Sequence, residues 1–310
     1  MKRMILVLVC LLAALPVLNA AGKNAQEYFI HGTEKAGKGK FAAAVKDFDR
    51  ALAIDPKMDS ALLNKGAALM DLKKPEKALE CFDGQLKLKP DNIEGLVCRG
   101  RALLMMKKTQ DALDCFDRAL EINPDGTADV WLGKAAVFMD MKNLKEAEYC
   151  VNKSLEINPD YVPALETKAG IMIAEEHYND AIYCLDKVIN DMPKKLEPLL
   201  AKIGLLVTLE RDGEAIDCIN KALAMSPGSA ETWAIKGAVQ SRLDYNPEAL
   251  QSYNKSIKLK PRVASTWAGK AEVLKKLGRD KEAEKCLKKS IILQPVKKEA
   301  AKERETAASL

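Results

Sequence analysis

The chain has 310 residues and a mass of 34.1 kDa, with 49 Lys+Arg against 44 Asp+Glu and a formal charge of +5. A hydrophobic share of 48% excludes a disordered chain, a pI near 8.6 is too mild to argue for nucleic acid, and two histidines, His31 and His177, argue against a His-rich metal site. Aromatics at 5% and charges at 30%, on a background rich in Ala, Leu, Lys and Glu, predict an all-α protein.

Taken from the start, residues 1–21 have the three-part layout of a secretory signal. Lys2 and Arg3 give a positive beginning, Met4 to Leu18 carry no charge, and Leu18-Asn19-Ala20-Ala21 offers small residues for cleavage. The apolar run from Met4 to Ala21 is also close to the lower length for crossing a bilayer, so a cleaved signal and a retained N-terminal anchor both stay open. Val9 before Cys10 is too bulky for a lipidation site. No second long apolar run follows, and the remainder reads as soluble and extracytoplasmic, either secreted or held at the outer face of the cell membrane.

From residue 25 onward the chain repeats. Pro56, Pro90, Pro124, Pro159, Pro193, Pro227, Pro261 and Pro295 recur at one fixed spacing, lengthened by a single position at Asp125-Gly126-Thr127. Twelve residues before each proline stands alanine, from Ala44 to Ala283. Twenty-four before it stands a small residue in seven units: Gly32, Gly66, Gly100, Ala135, Ala169, Gly237 and Ala271, with Ile203 the exception. Eight before it stand Phe48, Phe82, Phe116, Val151, Leu185, Ile219, Tyr253 and Leu287. Each unit therefore holds two amphipathic stretches of helical spacing joined by a short polar turn. The small residues are expected where two backbones approach, and the proline is expected to end the second helix.

This pattern resembles the tetratricopeptide repeat family, whose period of about 34 residues it shares. The second unit shows it well, from Asp59-Ser-Ala-Leu-Leu-Asn-Lys-Gly-Ala-Ala-Leu to Lys77-Ala-Leu-Glu-Cys-Phe. The resemblance implies an α-solenoid of eight helix-turn-helix repeats, wound as a right-handed superhelix. The units are about 25–58, 59–92, 93–127, 128–161, 162–195, 196–229, 230–263 and 264–297, followed by a polar tail at 298–310.

Cys81, Cys115, Cys150, Cys184, Cys218 and Cys286 each stand nine residues before a proline, with Cys98 apart on a first helix. Equivalent positions on packed helices lie about 8–10 Å apart, beyond the roughly 7 Å a disulfide tolerates. These thiols are expected as small buried apolar groups, with a redox or metal-binding role as the weaker alternative. Lys65, Arg99, Lys134, Lys168, Lys202, Lys236 and Lys270 recur in the position just before the small-residue slot. Acidic neighbours such as Asp83, Asp117 and Asp186 are expected to balance them. From Lys255 to Leu310 the chain has 16 basic and 7 acidic residues, so the C-terminal region and residues 4–21 are the two candidate routes to a membrane.

No Walker loop, GxSxG elbow, HExxH or CxxC pair is present, which argues against an enzyme and implies no cofactor. The expected function is a non-catalytic scaffold for a protein or peptide ligand, with a membrane-anchored assembly factor as the alternative. In the resembling family the first helices line a concave surface. Slot counting places Asn64, Ala67, Met70, Arg101, Met105, Leu132, Met139, Glu166, Gly170, Ile173 and Arg242 there. Arg101 and Glu166 are expected to orient a ligand that apolar contacts anchor. Some relatives grip chaperone C-termini with Lys and Asn at fixed slots; here only Asn64 fits, while Thr33, Ala67 and Ala136 do not, so that activity is not carried over.

Overall fold

A computed structural model describes residues 24–294. The proposed signal or anchor, Pro295 and the tail lie outside the described residues. Among those described there are sixteen α-helices and no strand. The first helices of the eight repeats are α1 (Ala25–Gly37), α3 (Asp59–Asp71), α5 (Ile93–Met105), α7 (Ala128–Asp140), α9 (Val162–Ala174), α11 (Leu196–Thr208), α13 (Ala230–Arg242) and α15 (Ala264–Lys276). The second helices are α2 (Phe41–Ile54), α4 (Pro75–Leu88), α6 (Thr109–Ile122), α8 (Leu144–Ile157), α10 (Tyr178–Asp191), α12 (Asp212–Met225), α14 (Asn246–Leu259) and α16 (Asp280–Leu293). Every first helix has 13 residues and every second helix 14, so the spacing of the prolines reappears as an all-α repeat solenoid.

Each first helix ends in the same way. Seventeen residues before the proline the backbone turns left-handed, at Gly39, Lys73, Lys107, Lys142, Glu176, Glu210, Asp244 and Gly278. The next N–H then reaches back over five residues, as in Lys74 N–H to the Leu69 carbonyl (3.0 Å) and His177 N–H to that of Met172 (2.8 Å). These are Schellman ends, and they satisfy carbonyls that the helix leaves unpaired. Second helices end at a residue of extended backbone before the proline, such as Asp55, Asn123 and Asn158, as the proline requires.

The close approach within a repeat is between backbone and ring, not between two backbones as the small residues alone suggest. A Cβ added at Gly32 would stand 2.6 Å from a ring carbon of Phe48, and one at Gly100 2.8 Å from Phe116. Phe116 also lies against Gly133 of the next repeat, and Tyr253 likewise touches both Gly237 and Gly269. Phe48, Phe82 and Phe116 are buried, and the eight periodic alanines are wholly so.

Neighbouring repeats are joined by the basic slot. Lys65 pairs with Asp49, Arg99 with Asp83 and Lys134 with Asp117, each at 2.7 Å; Lys202 pairs with Asp186 at 2.5 Å. Lys236 donates instead to Asn220 (2.7 Å). The partner stands sixteen residues earlier, or seventeen for Lys134 across the lengthened 125–127 turn, on the preceding second helix. The half-buried tryptophans close the turns between repeats. The indole N–H of Trp131, Trp233 and Trp267 donates to the carbonyls of Asp125, Pro227 and Pro261 at 3.0, 3.0 and 2.8 Å.

The chain falls into two compact units, the first ending at Ile171 and the second beginning at Met172, so the division runs through α9. In the first unit a core cluster around Leu103, Phe116, Val130 and Val137 joins α5, α6 and α7. In the second, Ala249, Tyr253 and Val273 form one cluster and Ala271, Leu274, Ala283 and Cys286 another.

Candidate functional site

A first helix turns the slots twenty-eight, twenty-four and twenty-one before the proline toward its second helix. Helical periodicity then leaves the slots thirty, twenty-six, twenty-three and nineteen before it on the opposite face, with slots twenty-seven and twenty at its margin. In the first unit α1, α3, α5 and α7 lie side by side, so these opposite faces join into one surface. Asn64 and Ala67 on α3, Arg101 and Met105 on α5, Leu132 and Met139 on α7 and Glu166 and Gly170 on α9 belong to the first unit. Ile173 and Arg242 belong to the second, so the predicted residues do not form one site within a single unit.

Their exposure differs. Met105 is 42% exposed and Ile173 37%, while Asn64, Ala67, Arg101, Leu132, Met139 and Glu166 are half-buried. Gly170 is exposed, with open space around any Cβ it might carry. Met70 is a correction: its slot lies at the margin of the face, and in this repeat the side chain is buried in the cluster of Leu69, Ala78, Cys81 and Phe82. It has no surface to offer a ligand.

The centre of the first unit's surface is a polar network that slot counting does not reveal. The Arg101 guanidinium pairs with Asp129, and the Tyr161 hydroxyl donates to the same carboxylate at 2.7 Å. Burial works against the Arg101 charge, yet Asp129 outweighs it and holds the guanidinium above its ordinary value. Burial, then Asp129, push the Tyr161 hydroxyl up to about 12. Arg101 therefore braces α5 against α7 and is already neutralised. In the second unit Arg242 is engaged in the same manner, with Nε 2.8 Å from an oxygen of Asp212.

Two acids on the first unit's face lack such partners. Asp71 at the end of α3 and Glu94 at the start of α5 make no hydrogen bond or ion pair among the described residues. Glu94 is half-buried and Asp71 lies more open. Loss of water raises both carboxyls; Asp129 adds to the rise at Glu94, and Lys73 opposes it at Asp71. Asp140 at the end of α7 is paired instead, accepting from Lys107 at 2.5 Å and Thr109 at 2.9 Å.

The cysteines of the repeats are largely buried. The seven among the described residues make no disulfide, and six are buried. Burial raises the Cys81, Cys115, Cys218 and Cys286 thiols and pushes Cys98 and Cys150 up to about 11. A protonated thiol is a poor nucleophile and metal ligand. No group of His, Cys, Asp and Glu among the described residues is arranged to hold a metal ion, and no helix there is long and apolar enough to cross a membrane. A separate crevice of about 390 Å³ lies between α2, α3 and α4, lined by Lys46, Lys65, Lys74 and Lys77 above Cys81.

Comparison with known proteins agrees with this architecture. Residues 34–182 match the model of the tetratricopeptide repeat protein 21 N-terminal ARM repeat, and residues 264–296 match a tetratricopeptide repeat model. No curated protein matches. Among solved structures, PilW, described as a widely conserved type IV pilus biogenesis factor, aligns over 72% of this chain and all of its own, with a TM-score of 0.59 and 22% identity. A thermophilic TPR protein of Thermus thermophilus aligns over 59% of this chain and 99% of its own, with a TM-score of 0.54 and 20% identity. A tetratricopeptide repeat protein of Parabacteroides merdae aligns over 87% of this chain and all of its own, with a TM-score of 0.51 and 18% identity. These identities speak for the fold. With its recurring slots and its paired helices of alternating length, the chain is built of tetratricopeptide-type repeats.

Proposed function

We propose that this protein is a non-catalytic scaffold that binds a protein or peptide segment on its first-helix face, outside the cytoplasm. The observation that carries the reading is the first unit's surface. Met105, Leu132 and Met139 leave apolar area in contact with water while the Arg101–Asp129–Tyr161 network fixes the helices beneath them. Apolar area on a braced support suits partner binding, because little ordering is lost on association. Methionine adapts its shape to different partners at low cost. The raised thiols favour this reading over one based on thiol chemistry.

The location rests on residues 1–21. The likeness to PilW is consistent with an envelope role but transfers the fold alone. Mass measurement of the exported protein separates a cleaved signal from a retained anchor, and with it a free scaffold from a membrane-held assembly factor.

The test of the face is site-specific photocrosslinking in the native cell. A photoreactive residue replacing Met105 or Met139 is expected to capture a discrete partner. The same residue replacing Tyr183, which is 63% exposed on a second helix, is expected to capture none. Equal capture at Tyr183, or none at the methionines, overturns the assignment.

A further inference from the structure

The chemistry of the partner can be taken one step further, on the strength of the reading just given. On the outward slots of α1, α3, α5 and α7 the charged residues are Asp71, Glu94, Asp129 and Asp140 against one cation, Arg101. That cation is already held by Asp129. Asp140 is held at the edge by Lys107 and Thr109. Asp71 and Glu94 are left with no ion-paired or hydrogen-bonded partner among the described residues, and they stand on the same face as Met105, in the last turn of α3 and the first turn of α5. A carboxylate drawn partly out of water without a partner, as Glu94 is, costs stability. A ligand that brings cations to this face removes that cost, whereas an acidic ligand meets four carboxylates, with Arg101 already paired to Asp129 and only Lys73 near Asp71.

We propose that the first unit's face takes a basic amphipathic segment of a partner protein. Its apolar side chains lie on Met105, Leu132 and Met139, and its lysine or arginine side chains meet Asp71 and Glu94. The residue pattern is the reverse of a surface made for acidic chain ends. The chain's own basic region supplies a competing occupant, a second copy, which the test treats as an opposing result.

The experiment uses the full chain and three capped fluorescent peptides of equal length: leucine and lysine on a helical period, leucine and glutamate on the same period, and a scrambled leucine–lysine sequence. Fluorescence anisotropy is expected to show the periodic lysine peptide binding about tenfold or more tighter than either of the others, and weakening as salt is raised. Asp71→Asn with Glu94→Gln is expected to weaken it about tenfold while raising the melting temperature. That opposition of signs follows from the raised carboxyls. A carboxyl raised on folding contributes stability that is full below its unfolded value and lost as pH rises through its folded value, so at neutral pH the native state is penalised. Removing the charges relieves the penalty, and a purely structural pair would not also carry affinity.

Equal binding of the glutamate or scrambled peptide, or unchanged binding by the double variant, overturns the proposal. If both periodic peptides bind equally and Met105→Glu with Met139→Glu abolishes both, the charge assignment falls and the apolar face stands. If no peptide binding responds to the methionine variants, the face itself falls. Self-association of the chain alone, lost in the Asp71→Asn, Glu94→Gln variant, overturns the separate partner.

Discussion

In repeats 1 to 3 the second helix presents a phenylalanine and the first helix answers with a glycine: Phe48 with Gly32, Phe82 with Gly66, Phe116 with Gly100. In repeats 4 to 6 the same two slots hold Val151 with Ala135, Leu185 with Ala169 and Ile219 with Ile203, all buried. One gap is filled from one side in the first group and shared between both sides in the second. Side-chain volume is thus constrained as a pair, while each residue alone is free to vary. Ile203, an exception by the small-residue rule, fits once its partner Ile219 is read with it. The lesson also covers the cysteine slot nine residues before the proline. Asp47 is accepted there at 2% exposure because Lys35 and Arg50 pair with it, and Ser252 because it donates to Gln240 at 2.6 Å.

The sharpest way to break this comparison is Gly66→Ala. Its Cβ would enter contact distance of three ring carbons of Phe82. Overpacking a core costs about 1–3 kcal/mol, and the gain in helix propensity returns about 1 kcal/mol. A net loss of up to about 2 kcal/mol is expected from urea unfolding. Adding Phe82→Leu installs the kind of pair that repeat 5 uses, and is expected to recover most of that loss. A double-mutant cycle with no coupling would mean that the two slots are filled independently.

A second pairing, between repeats, predicts a smaller effect. The slot five before one proline lies in register with the slot twenty-nine before the next. The pairs are Ala51 with Ala61, Gln85 with Gly95, Ala119 with Val130, Ser154 with Ala164 and Ala222 with Thr232. Gln85 is the misfit: fully buried, with neither amide atom hydrogen-bonded, and lying over Gly95. Gln85→Ala with Gly95→Ala copies the first junction and removes two unsatisfied polar atoms. Relief of about 1–3 kcal/mol per buried group, less the lost packing of the long side chain, leaves an expected net gain of about 1 kcal/mol. A stability loss in the double variant would show that the amide has a partner in solution.

The repeat, the helix pairs and the acid–base junctions were legible because each is a side-chain pattern with a fixed period. The recurring basic slot found the acids that the sequence offered it, sixteen or seventeen positions earlier. The candidate site was legible only as a face. Arg101 was visible as a charge, but Asp129 and Tyr161 stand at the two ends of the next repeat, in slots where no other repeat carries the same network. Met70 was misplaced because its slot sits at the margin between core and surface, where one helical turn decides. The left-handed turns were hidden for another reason. Only Gly39 and Gly278 announce them, and the other six repeats put Lys, Glu or Asp in the same conformation.

Those turns give the finest test, since they should be indifferent to how the neighbouring gap is filled. A side chain in the left-handed region costs about 1–2 kcal/mol, and glycine there gives back part of that, less the entropy it adds to the unfolded chain. Lys73→Gly in repeat 2 and Glu176→Gly in repeat 5 should therefore each stabilise by about 0.5 kcal/mol from backbone strain alone. Charge then separates them. Both residues follow the C-terminus of a first helix, where the helix dipole favours a cation and disfavours an anion by about 0.3–1 kcal/mol. Glu176→Gly sheds an unfavourable charge and Lys73→Gly a favourable one, so the first should gain and the second come out near neutral. The difference should shrink in high salt, which screens the dipole term and leaves the strain untouched. If the two variants instead track the Phe82–Gly66 and Leu185–Ala169 packing, with salt making no difference, then the turn is set by its core neighbours and the repeat backbone is less autonomous than its recurring hydrogen bonds imply.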